Sequence, residues 1–262
     1  MRARLFGSAH RVRYCYRRST PAYPRSVDRY AHLRHVSPSG PTPLTLEFRC
    51  KAFLFDLDGV LVDSRSVVER TWRRWAERHQ LDPLPILQVA HGRRARDTLR
   101  MVVPNLATDA EVDWLDTTEL ADREGLRAVP GAKDLVTALP RDRWAIVTSC
   151  GRDLARLRLG AAGLPIPDVM MVAEEVKRGK PAPDGYRLGA ERLGYVPSDC
   201  IVFEDAPAGI ASARAAGARV VGVTTTHAAA DLPGADATIA DFRGIDIRPR
   251  QDDFVLTIPA LR

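Results

Sequence analysis

The sequence predicts an α/β protein, a doubly wound parallel sheet with an inserted α-helical cap domain. Three observations carry this. Five short apolar runs, "AFLF" (52–55), "WAIVT" (144–148), "VMMV" (169–172), "CIVF" (200–203) and "VVGVT" (220–224), are continuous rather than alternating, as strands buried on both faces of a parallel sheet are. Helical patterns lie between the later runs, so strand and helix alternate. The stretch 66–129, between the first and second runs, reads as helices only.

Taken in chain order, residues 1–50 combine Arg, Ser, Pro and Tyr without a sustained hydrophobic period and end in the loop-like "SPSGPTP". A basic, disordered extension is expected there. It lacks the apolar region of a secretory signal, resembles an organellar transit peptide in composition, and equally fits upstream sequence read from a wrong start codon. The core domain is expected at 51–65 and 130–245, opened by "AFLF". In the cap domain, 66–129, Ser66 with Glu69 and Thr108 with Glu111 form capping-box patterns; Trp72 and Trp75 are read as cap core. After it, Ala132, Leu135, Val136 and Leu139 follow helical spacing, and "PAGIASARAAG" is a helix bounded by Pro207 and Gly217. Residues 246–262 are expected as a C-terminal tail, with too little pattern for a functional reading.

The net charge of +6 invites a nucleic-acid reading, but residues 1–50 alone hold ten Arg against Asp28 and Glu47; the rest of the chain carries 29 basic and 31 acidic side chains. The basicity therefore belongs to the N-terminal segment. No apolar run approaches membrane-spanning length. Cys15, Cys50, Cys150 and Cys200 are scattered without a CxxC pair, which fits reduced thiols. A soluble, cytoplasmic, monomeric enzyme is expected, without membrane or nucleic-acid partners.

Open parallel sheets bind ligands outside the carboxyl ends of their strands. Those positions read Asp56-Leu57-Asp58-Gly59, then Thr148-Ser149-Cys150-Gly151, then Glu204-Asp205, with Lys180 between Gly179 and Pro181 after the third run. Singly, each has a plainer reading: a turn, a surface lysine, a helix cap. In this order they fit phosphoryl transfer. A carboxylate attacking phosphorus gives an aspartyl phosphate, and an anion approaching a dianion needs a divalent cation and fixed positive groups. Asp56, Glu204 and Asp205 are hard oxygen ligands suited to Mg²⁺. Lys180 and the Thr148 hydroxyl, with Ser149 beside it, would hold the phosphoryl oxygens. Asp58 would act as acid and then base, and Gly59 would let the backbone turn.

These residues carry a family resemblance. "DLDGVLVDS", a strand ending in Thr148, "GKPAPD" and "FEDAPAG" resemble the four motifs of the haloacid dehalogenase superfamily, in particular its phosphatases with a small helical cap between motifs one and two. The match spans about residues 51–225. The resemblance implies Asp56 as nucleophile, Asp58 as acid/base and as donor of a backbone carbonyl to Mg²⁺, Thr148 and Lys180 as phosphate binders, and Glu204 and Asp205 as metal carboxylates. The superfamily's dehalogenases do without the second aspartate and the metal acids, so Asp58 and Asp205 point to phosphate esters. "HGRRARDTL" (91–99) is similar to the cap segment that faces the active site in sugar and polyol phosphatases, which makes Arg93 and Arg94 the expected substrate contacts. Their plainer reading is surface salt bridging. The expected substrate is a small phosphorylated sugar or polyol.

Three rivals remain at this point. A phosphomutase resembling β-phosphoglucomutase would use the same Asp56 and Mg²⁺. Cys150 and Arg156 fit the C-x₅-R spacing of cysteine-dependent phosphatases. RNA binding through residues 1–50, where Tyr14, Tyr16, Tyr23 and Tyr30 sit among arginines, belongs to a different class.

Overall fold

The computed structural model describes residues 45–259. The extension expected at 1–50 lies outside these residues as far as residue 44. Its last stretch is a strand, β1 (Thr45–Cys50), followed by β2 (Ala52–Phe55). A two-residue strand, β3 (Val62–Asp63), leads into four helices, α1 (Arg65–Arg78), α2 (Leu84–Ala90), α3 (Ala95–Val102) and α4 (Asp109–Ala121). The chain returns through β4 (Arg127–Ala128), antiparallel to β3. Then come α5 (Ala132–Ala138), β5 (Trp144–Val147), α6 (Arg152–Ala161) and β6 (Val169–Met171). The remainder is α7 (Asp184–Arg192), β7 (Cys200–Glu204), α8 (Pro207–Ala216), β8 (Arg219–Val223), β9 (Ala237–Ile239), β10 (Asp246–Pro249) and β11 (Phe254–Pro259).

The main sheet has six parallel strands in the order β6-β5-β2-β7-β8-β9. The first strand to enter is central and the order reverses beside it, which is the doubly wound arrangement the sequence predicts. Every residue of β2, β5 and β7 is buried, which is why these runs are apolar without alternation. Phe53, Phe55, Ile146 and Phe203 fill one face with α5 and α6, the Phe55 and Phe203 rings stacking 5.0 Å apart. Leu54, Val147 and Val202 fill the other with Tyr186 of α7 and Ile210 of α8. β9 is an edge strand of three half-buried or buried residues, Ala237-Thr238-Ile239, and its polar Thr238 leaves no apolar run in the sequence.

The expected terminal boundaries need correction. β11 pairs antiparallel with both β1 and β10, from Thr45↔Pro259 to Cys50↔Phe254 on the β1 side. Phe254, Leu256 and Ile258 point into the main core, and the Phe254 ring lies 5.5 Å from that of Phe53. The alternation in "FVLTIP" is thus a strand signal, and 246–259 is core sheet rather than tail.

The four helices between β3 and β4 have their own core, with Trp72, Trp75, Ile86, Leu99 and Leu115 buried against one another. The Trp75 indole N–H donates to Glu111 Oε2 at 2.6 Å. Thr108 caps α4 by accepting from the Glu111 backbone N–H at 3.3 Å, as its pattern predicts. The Ser66–Glu69 pattern does not act as a cap. α1 begins one residue earlier, at Arg65, and Glu69 ion-pairs with that Arg at 2.7 Å. Among the described residues no helix is long and apolar enough to cross a membrane.

Candidate active site

The sheet ladder places the first acid. Past the end of β2, the Asp56 N–H still bonds Phe203 O of β7 at 3.0 Å, and past β5 the Thr148 N–H bonds Met171 O at 2.9 Å. Asp56, Thr148, Glu204 and Asp205 therefore sit on one rim of the sheet, all buried. The chain then turns sharply: Leu61 N bonds Leu57 O and Gly59 N bonds Val62 O. Gly59 has φ +75°, and a Cβ there would lie 2.0 Å from Asp205 Oδ2. Only glycine permits that approach.

Buried Lys180 joins two acids, donating to Asp56 Oδ1 at 2.7 Å and Glu204 Oε1 at 2.6 Å. Burial opposes its charge, but the two carboxylates outweigh it and push its pKa up. Glu204 Oε1 also accepts from the Tyr186 hydroxyl at 2.6 Å, and Oε2 from the backbone N–H groups of Asp205 and Ala206. Glu204 thus accepts four hydrogen bonds. It holds Lys180 and the β7–α8 loop in place. Asp205 differs: Thr226 donates to Oδ2, while buried Oδ1 has no partner.

One oxygen from each of Asp56, Glu204 and Asp205 lies within 4.8 Å of the others. Burial pushes the Asp56 carboxyl up to about 7, with Glu204 and Asp58 adding to the rise and Lys180 opposing it. Asp205 is raised in the same way, by burial and then by Glu204 and Asp56. Crowded buried acids, one with an orphaned oxygen, are a donor set that fits a hard divalent cation.

Asp58 lies at the border with the cap helices. Its Oδ1 accepts from the Ser64 hydroxyl at 2.7 Å and its Oδ2 from Arg158 Nη1 at 2.6 Å. Arg158 is 2% exposed and reaches on through Nη2 to Glu119 Oε2 of α4 at 2.5 Å. Sequence reasoning missed Arg158 and Glu119. The available signal was a charge on an apolar stripe, since Leu154, Ala155, Arg158 and Leu159 form the buried face of α6.

A cavity of about 450 Å³ opens onto Asp56 and Asp58 beneath the cap. Gly92, at φ +75°, brings the loop before α3 against the core: a Cβ there would lie 2.7 Å from that of Ala206. Ser149 donates to Gly92 O at 2.9 Å. Arg93 and Arg94 both line the cavity. Arg94 is engaged, donating to Asp97 at 2.8 Å and to Val176 O at 3.0 Å, whereas Arg93 forms no ion pair among the described residues. Asp116, Glu119, Glu174 and Lys177 add polar groups to the lining, and Trp72 and Leu115 add apolar ones.

Residues 50–217 match the family model for haloacid dehalogenase-like hydrolases. The chain belongs to the haloacid dehalogenase-like hydrolase family. Among curated proteins it is 48% identical to hexitol phosphatase A of Escherichia coli (strain K12), over 71% of this chain and 87% of that one. It is 36% identical to glycerol-1-phosphate phosphohydrolase 2 of Saccharomyces cerevisiae, over 71% and 80%. Among solved structures, a hydrolase from Pseudomonas syringae superposes with a TM-score of 0.66 at 26% identity, over 74% of this chain and 94% of that one.

For this haloacid dehalogenase-like hydrolase the cysteine rival fails on geometry. Burial and the nearby Asp58 push the Cys150 thiol far up, the reverse of an activated thiolate, with Arg158 opposing. Arg156 is exposed on α6, which begins at Arg152, so no loop wraps the sulfur.

Proposed function

We propose that this hydrolase removes phosphate from small phosphorylated sugars or polyols, using Mg²⁺ and an aspartyl phosphate on Asp56. The observation that carries the reading is Asp56 itself: a buried carboxylate at the cavity floor, with Oδ1 held by Lys180 and Oδ2 left to attack. The Asp56, Glu204 and Asp205 carboxylates and the Asp58 carbonyl would hold the metal; bound there, Mg²⁺ would supply positive charge to the acids and the phosphoryl oxygens.

Asp56 Oδ2 forms a bond to phosphorus as the ester P–O bond breaks, and Asp58 gives its proton to the departing sugar oxygen. Asp58 then takes a proton from a water that attacks phosphorus, and Asp56 leaves as a carboxylate. Lys180 spends two of its three N–H donors on Asp56 and Glu204 and keeps one for a phosphoryl oxygen. Thr148, with Ser149 beside it, supplies a hydroxyl from the end of the neighbouring strand β5. Arg93 and the acids Asp116 and Glu174, all lining the cavity, offer donors and acceptors for the hydroxyls of a sugar or polyol leaving group. The names of the relatives support this choice, a hexitol phosphatase and a glycerol-1-phosphate phosphohydrolase.

The test is phosphate release from hexitol, hexose, pentose and glycerol phosphates with Mg²⁺ or with EDTA. Metal-dependent turnover without a bisphosphate activator supports the reading. A requirement for that activator, with phosphoryl return to sugar, would replace it with a mutase.

A further inference from the structure

We infer that Arg158 is a positioning residue for Asp58, and that Glu119 of the cap makes this positioning depend on how the cap is seated. The inference rests on the phosphatase reading and extends it to two residues outside the four motifs. Arg158 comes from α6 of the core and Glu119 from α4 of the cap, 39 positions apart in sequence. Asp58, the residue between the sheet and the cap entry, completes the chain Glu119–Arg158–Asp58 with contacts of 2.5 and 2.6 Å.

Three features argue against incidental pairing. Arg158 is buried beside the cavity, where an unpaired guanidinium would be very costly. Its third nitrogen, Nε, is buried without a partner, so its ion pairs are those to the two carboxylates. A planar fork with one arm on each carboxylate transmits a displacement of one to the other in a way a flexible ammonium does not. With Ser64 on its other oxygen, Asp58 is held from both sides. A shift of α4 moves Glu119, and through Arg158 it moves the group that must reach the leaving oxygen and then the water. Acid/base chemistry would thereby be coupled to cap seating over the substrate.

Leaving-group dependence tests this, because an aryl phosphate leaves without a proton while a polyol phosphate does not. Wild type, Arg158→Met, Glu119→Gln and the double variant are assayed with Mg²⁺ on a hexitol phosphate and on p-nitrophenyl phosphate, by steady state and by rapid mixing. For Arg158→Met the expected result is a kcat on the hexitol ester lower by about 10²-fold at nearly unchanged KM, since the carboxylate remains but is misplaced. On the aryl ester a burst of about one nitrophenolate per enzyme is expected, followed by slow turnover, because attack by Asp56 survives while the Asp58-assisted hydrolysis does not.

Glu119→Gln keeps the shape and folds under milder strain; it is expected to lower the same kcat by about 3–10-fold. The double variant should be no worse than Arg158→Met, as residues acting through one another are not additive. Equal losses on both esters without a burst, or a change confined to KM, would overturn the inference in favour of a structural or substrate-binding role. Variants that keep the wild-type ratio would overturn it while leaving the phosphatase reading intact. A wild type that cleaves neither ester would instead remove the phosphatase reading, and this inference with it.

Discussion

Replacing Asp56 with Asn should stabilise the metal-free protein while abolishing turnover. In the fold, burial and two neighbouring acids push the Asp56 carboxyl from its ordinary 3.8 up to about 7. Between about pH 4 and pH 7 the native chain therefore holds a proton that the unfolded chain releases. Stability falls as pH rises through that window, and the penalty is complete above it. At about 1.4 kcal/mol for each factor of ten, ionised Asp56 costs the metal-free protein of order 4 kcal/mol at pH 8. Asn has the same shape, still accepts from Lys180 and carries no charge. Urea denaturation in EDTA should accordingly place Asp56→Asn above wild type by that amount at pH 8 and within about 1 kcal/mol of it near pH 4. Added Mg²⁺ should narrow the gap at pH 8 by stabilising wild type more. A variant less stable than wild type at pH 8 in EDTA would show that Asp56 is not held at an electrostatic cost, and the argument from crowded acids would fail.

Other expectations follow from single contacts. Gly92→Ala, at φ +75° and with its Cβ 2.7 Å from that of Ala206, should cost about 1–2 kcal/mol in seating the cap loop. That predicts a fall of about 5–30-fold in kcat/KM with a small change in Tm, and an unchanged kcat/KM would refute the seating argument. Trp75→Phe leaves Glu111 without its indole donor and should lower stability by about 1–3 kcal/mol in urea, whereas a loss below about 0.5 kcal/mol would mean the bond is replaced by water. The raised Cys150 thiol should resist iodoacetamide in the native protein at pH 8, and Cys150→Ser should retain activity within a few-fold. Time-dependent inactivation by alkylation at Cys150 would return the cysteine to consideration.

The parts of the site legible in the sequence are those that local chemistry fixes. Strands buried on both faces leave continuous apolar runs, and the polar residues that follow them are at the sheet rim because the ladder continues one residue further, as at Asp56 and Thr148. What local pattern does not carry is pairing between distant elements. β1 and β11 are more than 200 residues apart and support each other, so neither looked like core alone. Glu204 illustrates a subtler gap: its place beside Asp205 suggests a metal carboxylate, and it does lie with Asp56 and Asp205, but its bonds to Tyr186 and Lys180, which come from elsewhere in the chain, left no mark in the local sequence. Arg158 and Glu119 were hidden for the same reason, since an arginine on a buried stripe has meaning only once its partners are known. Ser64 is the local counterpart: it stands where a helix cap would, yet it donates to Asp58.

The central claim is the covalent step on Asp56, and the most direct measurement is acid quenching during the first turnover of an aryl ester labelled in its phosphate, followed by peptide mapping. The account predicts acid-stable label on the peptide bearing Asp56, more of it in Asp58→Asn, where hydrolysis is slowed, and none in Asp56→Asn. Turnover of the ester by wild type with no label on protein, in Asp58→Asn as well, would mean that water attacks phosphorus directly and that Asp56 has another role.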